Sequence, residues 1–296
     1  MTMQNLKYAV HAYAWTSSWS NQTLPLIDRA RGLGFDFIEI PLMELGLVDA
    51  KAIRKRAADA GISLCTSTAC SEADDPTGDD EATRRRGVEY LQGCVRATAD
   101  MGATVFTGVT YSAIGRRISS MPGEEYWERA ASALKQAARY AAQLGVTVGI
   151  EPINRYESFL VNTCDQALRL KEMVGEPNVA IHLDAYHMNI EEADFYEPTK
   201  KAAPYLCHYH LSESHRGTPG TGRVDWDGIY RALAEAGYGG LVGMESFSEV
   251  SGAMASATCI WRKLSASSDE LLSTGLQFLK GLESKYYRRT QKDAQA

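Results

Sequence analysis

The chain has 296 residues, 45% of them hydrophobic, and carries 31 basic against 37 acidic side chains for a net charge of −6. The composition is that of a globular protein, and the length suits one large domain or two small ones with a substantial core. Without a basic field to hold a phosphate backbone, nucleic acid is excluded as a partner.

The chain opens on MTMQNLKYAV, which lacks the apolar run of a signal peptide. Short apolar, β-rich runs then alternate with segments of helical spacing. Strands are predicted at 7–15, 35–42, 62–70, 103–111, 146–154, 179–187, 206–214 and 240–247. Helices are predicted at 23–33, 49–60, 79–101, 123–144, 163–174 and 226–236, with a shorter one near 192–203 and a last one at about 268–285 before a short polar tail. Thr163 reads as an N-cap, and RGLGF, ADAGI, AQLGV and AEAGY each place Gly at a helix end just before the next strand. Six cysteines stand singly at 65, 70, 94, 164, 207 and 259, the usage of reduced thiols in a cytoplasm. No stretch of about 18 apolar residues offers a membrane span.

Strand followed by helix, repeated eight times, is the pattern of a single-domain (β/α)8 TIM barrel over residues 1–296. A doubly wound sheet is the competing α/β fold, but HAYAWTSSW after the first strand has no glycine with which to bind a dinucleotide.

In such a barrel, function gathers at the carboxyl ends of the strands. The fifth strand delivers Glu151, with Asn154, Arg155 and Glu157 beyond it; the sixth delivers His182, Asp184 and His187. The seventh delivers His208, His210, Glu213 and Arg216, and the eighth Glu245. Singly, each has a bland explanation: a solvated strand end for Glu151, a turn cap for Asp184. His208 and His210 share a face, so one reaches the rim while the other is an interior histidine. Four adjacent strands each delivering an ionisable group to the same end is harder to dismiss.

Three carboxylates and an imidazole gathered without a counter-charge would repel and desolvate one another. A divalent cation removes that objection, and an oxygen-rich set with one nitrogen suits Mn²⁺, Mg²⁺ or Co²⁺ better than a structural zinc. Four protein ligands leave two octahedral positions open to chelate adjacent oxygens of an α-hydroxy ketone. Strands five and eight lie roughly 135° apart around the barrel axis, so Glu151 and Glu245 can flank a substrate from opposite faces.

The blocks GFDFIEI, GIEPINRYESFLVN, IHLDAYHMNIEE, CHYHLSESHRGTPGTGRVDW, GMESF and CIWRKLS resemble, in order, those of the ketose 3-epimerases, the D-tagatose/D-allulose group of xylose-isomerase-like barrels. The resemblance implies a homo-oligomer, dimer or tetramer, that epimerises free ketoses at C3 through a cis-enediolate with Mn²⁺ (or Co²⁺ or Mg²⁺) bound. It implies that Glu151, Asp184, His210 and Glu245 hold the metal and that Glu151 and Glu245 are also the acid/base pair. Glu157, His187 and Arg216 fall on the positions that hold the O1–O2 end of the sugar. His11 and Ile114 stand where relatives often carry aromatics, at the far end of the sugar, and the retained Trp15 reads either as an apolar wall of the site or as a buried core tryptophan.

Other functions on the same framework are an aldose–ketose isomerase, a polyol dehydratase, a metal-dependent endonuclease and a non-catalytic sugar-binding barrel. Isomerisation needs one base and epimerisation two, which favours the epimerase, while six histidines and a net charge of −6 disfavour the endonuclease. GTPGTG at 217–222 lacks the Lys-Ser/Thr of a phosphate loop and reads as a flexible, exposed loop carrying Arg216.

Overall fold

The computed structural model describes residues 5–247 and 252–293, so the first residues of the chain and the end of the polar tail lie outside it. Eight strands, β1 (Lys7–His11), β2 (Phe37–Pro41), β3 (Ser63–Cys70), β4 (Val105–Ala113), β5 (Thr147–Ile150), β6 (Val179–Asp184), β7 (Leu206–His210) and β8 (Leu241–Met244), pair in sequence order. Every pairing is parallel, and β8 returns to β1 in the register Lys7↔Leu241 to Val10↔Met244, closing a single-domain (β/α)8 barrel.

The helices that cover the barrel are amphipathic for a legible reason. In α8 (Trp226–Glu235) the buried Trp226, Ile229, Tyr230 and Leu233 recur at the i, i+3, i+4, i+7 spacing of one helix face. Asp225 caps it by accepting from the Gly228 N–H, and Thr163 forms a full capping box with Gln166 at the start of α5 (Cys164–Val174). Helix α2 (Ala50–Ala60) ends at Gly61, whose φ of 66° lets the chain reverse toward β3. The last helix of the barrel, Ser268–Asp293, runs past the predicted end at 285. Its Leu271, Leu272, Leu276 and Leu279 are buried, and the Tyr8 hydroxyl from β1 donates to the Leu279 carbonyl.

Several boundaries differ from the sequence expectation, the fifth, seventh and eighth strands ending at Ile150, His210 and Met244 rather than at 154, 214 and 247. The first strand stops at His11 rather than 15, because His11 Nδ1 accepts from the Tyr13 N–H and turns the chain into a 3-10 segment at Ala12–Ala14. The sixth strand stops at Asp184, whose Oδ1 accepts from the Tyr186 N–H and starts a helix at Ala185–Glu191 directly. The helix expected near 192–203 is Tyr196–Ala202.

The barrel interior is layered. Ala9, Cys65 and Leu241 form a small apolar cluster of their own, with Phe37 and Val105 against it, separate from the large core between strands and helices. Glu39, Thr107, His182, His208 and His210 are also buried, from β2, β4, β6 and β7. Imidazoles fit inside only where neighbouring strands are thin. A Cβ at Gly243 on β8 would lie 2.8 Å from His208 Cε1.

Gly108 on β4 is the tightest point: its φ is 112°, and a Cβ would lie 2.1 Å from the Thr68 carbonyl oxygen. Its own carbonyl accepts from the Glu151 N–H, tying the end of β5 to β4. Gly108→Ala is expected to cost at least about 2 kcal/mol through strain and backbone displacement. Denaturant unfolding beside wild type checks this, and an unchanged midpoint would show that the strand has room to adjust.

Candidate active site

At the carboxyl ends of the strands the chain encloses a cavity of about 220 Å³, lined on one side by Glu151, Glu157, His187, His210, Arg216 and Glu245. The rest of the lining is mostly apolar, with Tyr13, Met43, Val109, Ile114, Phe247 and Met254. His11 and Ile114 line it as expected from the sequence. Trp15 does not: it is buried in the core, its Nε1–H donates to Asp269 at 2.9 Å, and the Arg29 guanidinium lies over its ring. The expectation that Trp15 walls the substrate is therefore corrected.

Around His210 the sequence-predicted residues come together. Its Nδ1 lies 3.6 Å from Glu245 Oε2, 3.8 Å from Asp184 Oδ2 and 3.9 Å from Glu151 Oε1, with no hydrogen-bond partner of its own. The other nitrogen, Nε2, is 2.9 Å from Glu39 Oε2. His208 is the interior histidine, its Nε2 at 2.8 Å from the same Glu39 oxygen. His182 is also interior and fully buried, its Nδ1 3.0 Å from Thr107 Oγ1 and 3.5 Å from Glu151 Oε2.

Arg216 corrects a second expectation. It is buried, not exposed, and one Nη1 donates at 2.7 Å to both Asp184 Oδ2 and Glu245 Oε2. Asp184 thus serves two ends: Oδ1 caps a helix, Oδ2 faces the site. The guanidinium stacks on Tyr186 at 4.0 Å, and the residue sits at a φ of 61°, a left-handed conformation held by Ser246, whose hydroxyl donates to the Arg216 carbonyl.

The loop at 217–222 is pinned rather than flexible. Glu213 is fully buried and its carboxylate accepts from the N–H groups of Ser214, Gly220 and Val224 and from Trp226 Nε1. Sequence reasoning placed Glu213 at the strand end without seeing that the loop closes around it.

His187 is oriented from behind. Its Nδ1 accepts from the Asn154 N–H at 3.1 Å, which leaves Nε2 bearing the proton and directed at Glu151 and Asp184, 4.0 and 3.8 Å away. Burial pushes its pKa down to about 3, so the ring is neutral. Asn154 also donates through Nδ2 to Glu157.

The two glutamates are electrostatically unlike. Burial raises Glu151, and the neighbouring Glu245 and Asp184 add to this against the lowering effect of His210. Burial would raise Glu245 as well, but Arg216, His210 and His11 reverse it and hold it below its ordinary value. His210, which burial alone would lower, is pushed up to about 10 by Glu39, Glu245 and Glu151.

This donor set fits a divalent cation. Glu151, Asp184 and His210 each offer an atom within 4.8 Å of the others, the buried His210 Nδ1 has no partner, and Arg216 compensates Asp184 and Glu245 but not Glu151. Two other groups, His182 with His208 and His210, and Glu39 with Cys65 and His208, are equally close, but of these residues His210 alone lines the cavity. Sequence reasoning missed Glu39. Its signal was one charged residue amid FDFIEIPL, on the same strand face as Phe37 and Pro41.

A closed barrel with an acid-rich, metal-competent mouth defines the class, and comparison with known proteins narrows it. The profile of the xylose isomerase-like TIM barrel family matches residues 27–281. The chain is 37% identical over 269 residues to a ketose 3-epimerase of Arthrobacter globiformis, covering 90% of this chain and 93% of that one. It is 35% identical to an L-ribulose 3-epimerase of Mesorhizobium japonicum, over 94% and 95% of the two chains. The crystal structure of D-allulose 3-epimerase from Methylomonas sp. in complex with D-allulose superposes with a TM-score of 0.89 at 33% identity, covering 94% of this chain and 97% of that one. The chain belongs to the ketose 3-epimerase family of xylose isomerase-like TIM barrels, and is an isomerase.

The Glu213 anchor makes a pH prediction. Burial alone would raise its carboxyl, but the donors from Ser214, Trp226, Val224 and Gly220 outweigh that and lower it. A folded value below the unfolded one, about 4.3, contributes stability present above that pH and lost as pH falls through the folded value. Hydrogen exchange at 217–226 should therefore accelerate on acidification through that window, and Glu213→Gln should show the faster exchange already at neutral pH. Equal protection in both proteins would remove Glu213 as the anchor.

Proposed function

We propose that this protein epimerises free ketoses at C3, using Glu151 and Glu245 as a two-base pair. The observation that carries this is their placement: they stand just past the ends of β5 and β8, both facing the same His210 nitrogen from within 4 Å and both lining the cavity. The named activities of the relatives, ketose, L-ribulose and D-allulose 3-epimerisation, support the substrate class.

Glu151, Asp184, His210 and Glu245 would hold the metal, with Mn²⁺, Co²⁺ or Mg²⁺ matching the donor set. When bound, such an ion supplies Lewis-acid polarisation of the ketone and offsets negative charge on the substrate oxygens. The protein does the rest. Arg216 and the His187 Nε2–H donate to the oxygens at the O1–O2 end of the sugar, and Glu157 accepts from a hydroxyl there. The C3–H bond breaks as one glutamate takes the proton, and the electron pair passes into the C2–C3 bond of a cis-enediolate. The other glutamate delivers its proton to the opposite face of C3, inverting that centre. Proton exchange through the open mouth restores the starting state, and the reverse epimer begins with the roles of the two glutamates exchanged. Their opposite displacement, Glu151 up and Glu245 down, is the pattern of an acid/base pair divided by environment.

The apolar wall of Met43, Val109 and Ile114 would take the far end of the sugar and set the preference among ketoses. Among the described helices none is long and apolar enough to cross a membrane, and the six cysteines are free, which supports action in the cytoplasm. Exposed Met121, Tyr156 and Trp261 are apolar surface of the kind a homodimer or homotetramer covers.

Two measurements test this. Chelator-treated protein should lose C3 epimerisation of a ketose panel, regain it with Mn²⁺ or Co²⁺, and melt lower than the loaded form, by about 2.7 kcal/mol when free ion exceeds Kd a hundredfold. Full activity after thorough metal removal would end the metal assignment. Glu151→Gln and Glu245→Gln should each lower epimerisation by about 10²–10⁴-fold. With metal occupancy checked, each variant should still exchange the C3 hydrogen of one epimer with deuterated solvent. Near-normal epimerisation in both would place the bases elsewhere.

A further inference from the structure

Glu39 has no place in the chemistry above, yet it is fully buried and lies at the centre of the imidazole cluster. One oxygen, Oε2, is 2.8 Å from His208 Nε2 and 2.9 Å from His210 Nε2. The other, Oε1, faces His11 Nε2 at 3.6 Å. The three rings come from β7 and β1, so a carboxylate on β2 ties together strands on several sides of the barrel. A buried carboxylate in an apolar barrel costs several kcal/mol unless donors surround it, and here the donors are imidazole N–H groups.

The consequence lies in tautomer chemistry. A carboxylate is an acceptor only, so every imidazole nitrogen in contact with it must carry hydrogen. A neutral imidazole has one N–H. In the neutral form that a metal ligand requires, the remaining N–H is committed to Glu39 at Nε2, so the lone pair of His210 falls on Nδ1, the nitrogen that faces Glu151, Asp184 and Glu245 and has no other hydrogen-bond partner. The same bond stops the ring from turning about its Cβ–Cγ axis. We infer that Glu39 is a positioning residue that fixes the tautomer and orientation of His210 so that Nδ1 is presented as a metal ligand. Carboxylates that accept from the far nitrogen of a ligating histidine raise its basicity, and their loss typically weakens metal binding by about 10–100-fold.

This inference rests on the metal assignment proposed above, and the test separates the two. Glu39→Gln keeps the shape but replaces one acceptor oxygen with an NH₂ donor, which permits the opposite tautomer at His208 or His210. Chelator-treated wild type and variant are titrated with Co²⁺ alone, following visible absorption and calorimetric heat, with circular dichroism and melting of the metal-free forms as the control for folding. The expected result is a Co²⁺ Kd raised about 10–100-fold with an altered absorption band, and activity that excess Co²⁺ restores. Excess Co²⁺ would not restore Glu151→Gln, which lacks a reacting group. If Glu39→Gln does not fold, Glu39→Asp retains the charge but withdraws the acceptor from both Nε2 atoms, and a weakened Kd is expected there too. A folded variant that binds Co²⁺ with the wild-type Kd and spectrum overturns the role of Glu39 and leaves the metal assignment standing. Wild type that binds no Co²⁺ overturns both.

Discussion

Three carboxylates, Glu39, Glu151 and Asp184, are buried at one end of the barrel beside the half-buried Glu245, and the site follows from how their charge is met. Carboxylates removed from water must be paired or protonated. Arg216 answers for Asp184 and Glu245, and imidazoles answer for Glu39. Arg216 does not pair with Glu151, whose pKa burial raises against the lowering effect of His210. This incomplete compensation leaves a donor set that fits a divalent ion.

The compensation depends on backbone devices away from the reacting groups. Arg216 reaches inward because its backbone takes a left-handed turn, which Ser246 and the Glu213 carbonyl hold in place. The loop beyond it is closed on the Glu213 carboxylate, so the arginine is carried by a fixed support. His187 is set by Asn154, at the end of the neighbouring strand, which also orients Glu157. In each case a residue with no place in the chemistry limits the freedom of one that has a place, which is the physical content of preorganisation.

The two walls of the cavity divide the work. Charged groups gather at the ends of β5 to β8. Met43, Val109 and Ile114, at the ends of β2 and β4, present apolar surface that can distinguish ligands by shape but cannot take a proton. Relatives acting on different ketoses can therefore share the first wall and differ in the second.

Sequence alone determined the barrel, because eight strand–helix alternations with their caps are local patterns that need no knowledge of contacts. It also determined which strand ends carry ionisable groups, and the family resemblance singled out Glu151, Asp184, His210 and Glu245 among them. Tertiary structure alone decided what each group touches. Arg216 looked like a loop arginine because its left-handed turn leaves no mark in GTPGTG. Trp15 had two readings, a cavity wall from the family resemblance and a core tryptophan, and the 3-10 segment after His11 decides for the core. Glu39 was silent because its partners lie 169 and 171 residues away, across the inside of the barrel. Periodicity along a strand says which side a residue faces; only closure of the sheet says what it meets there.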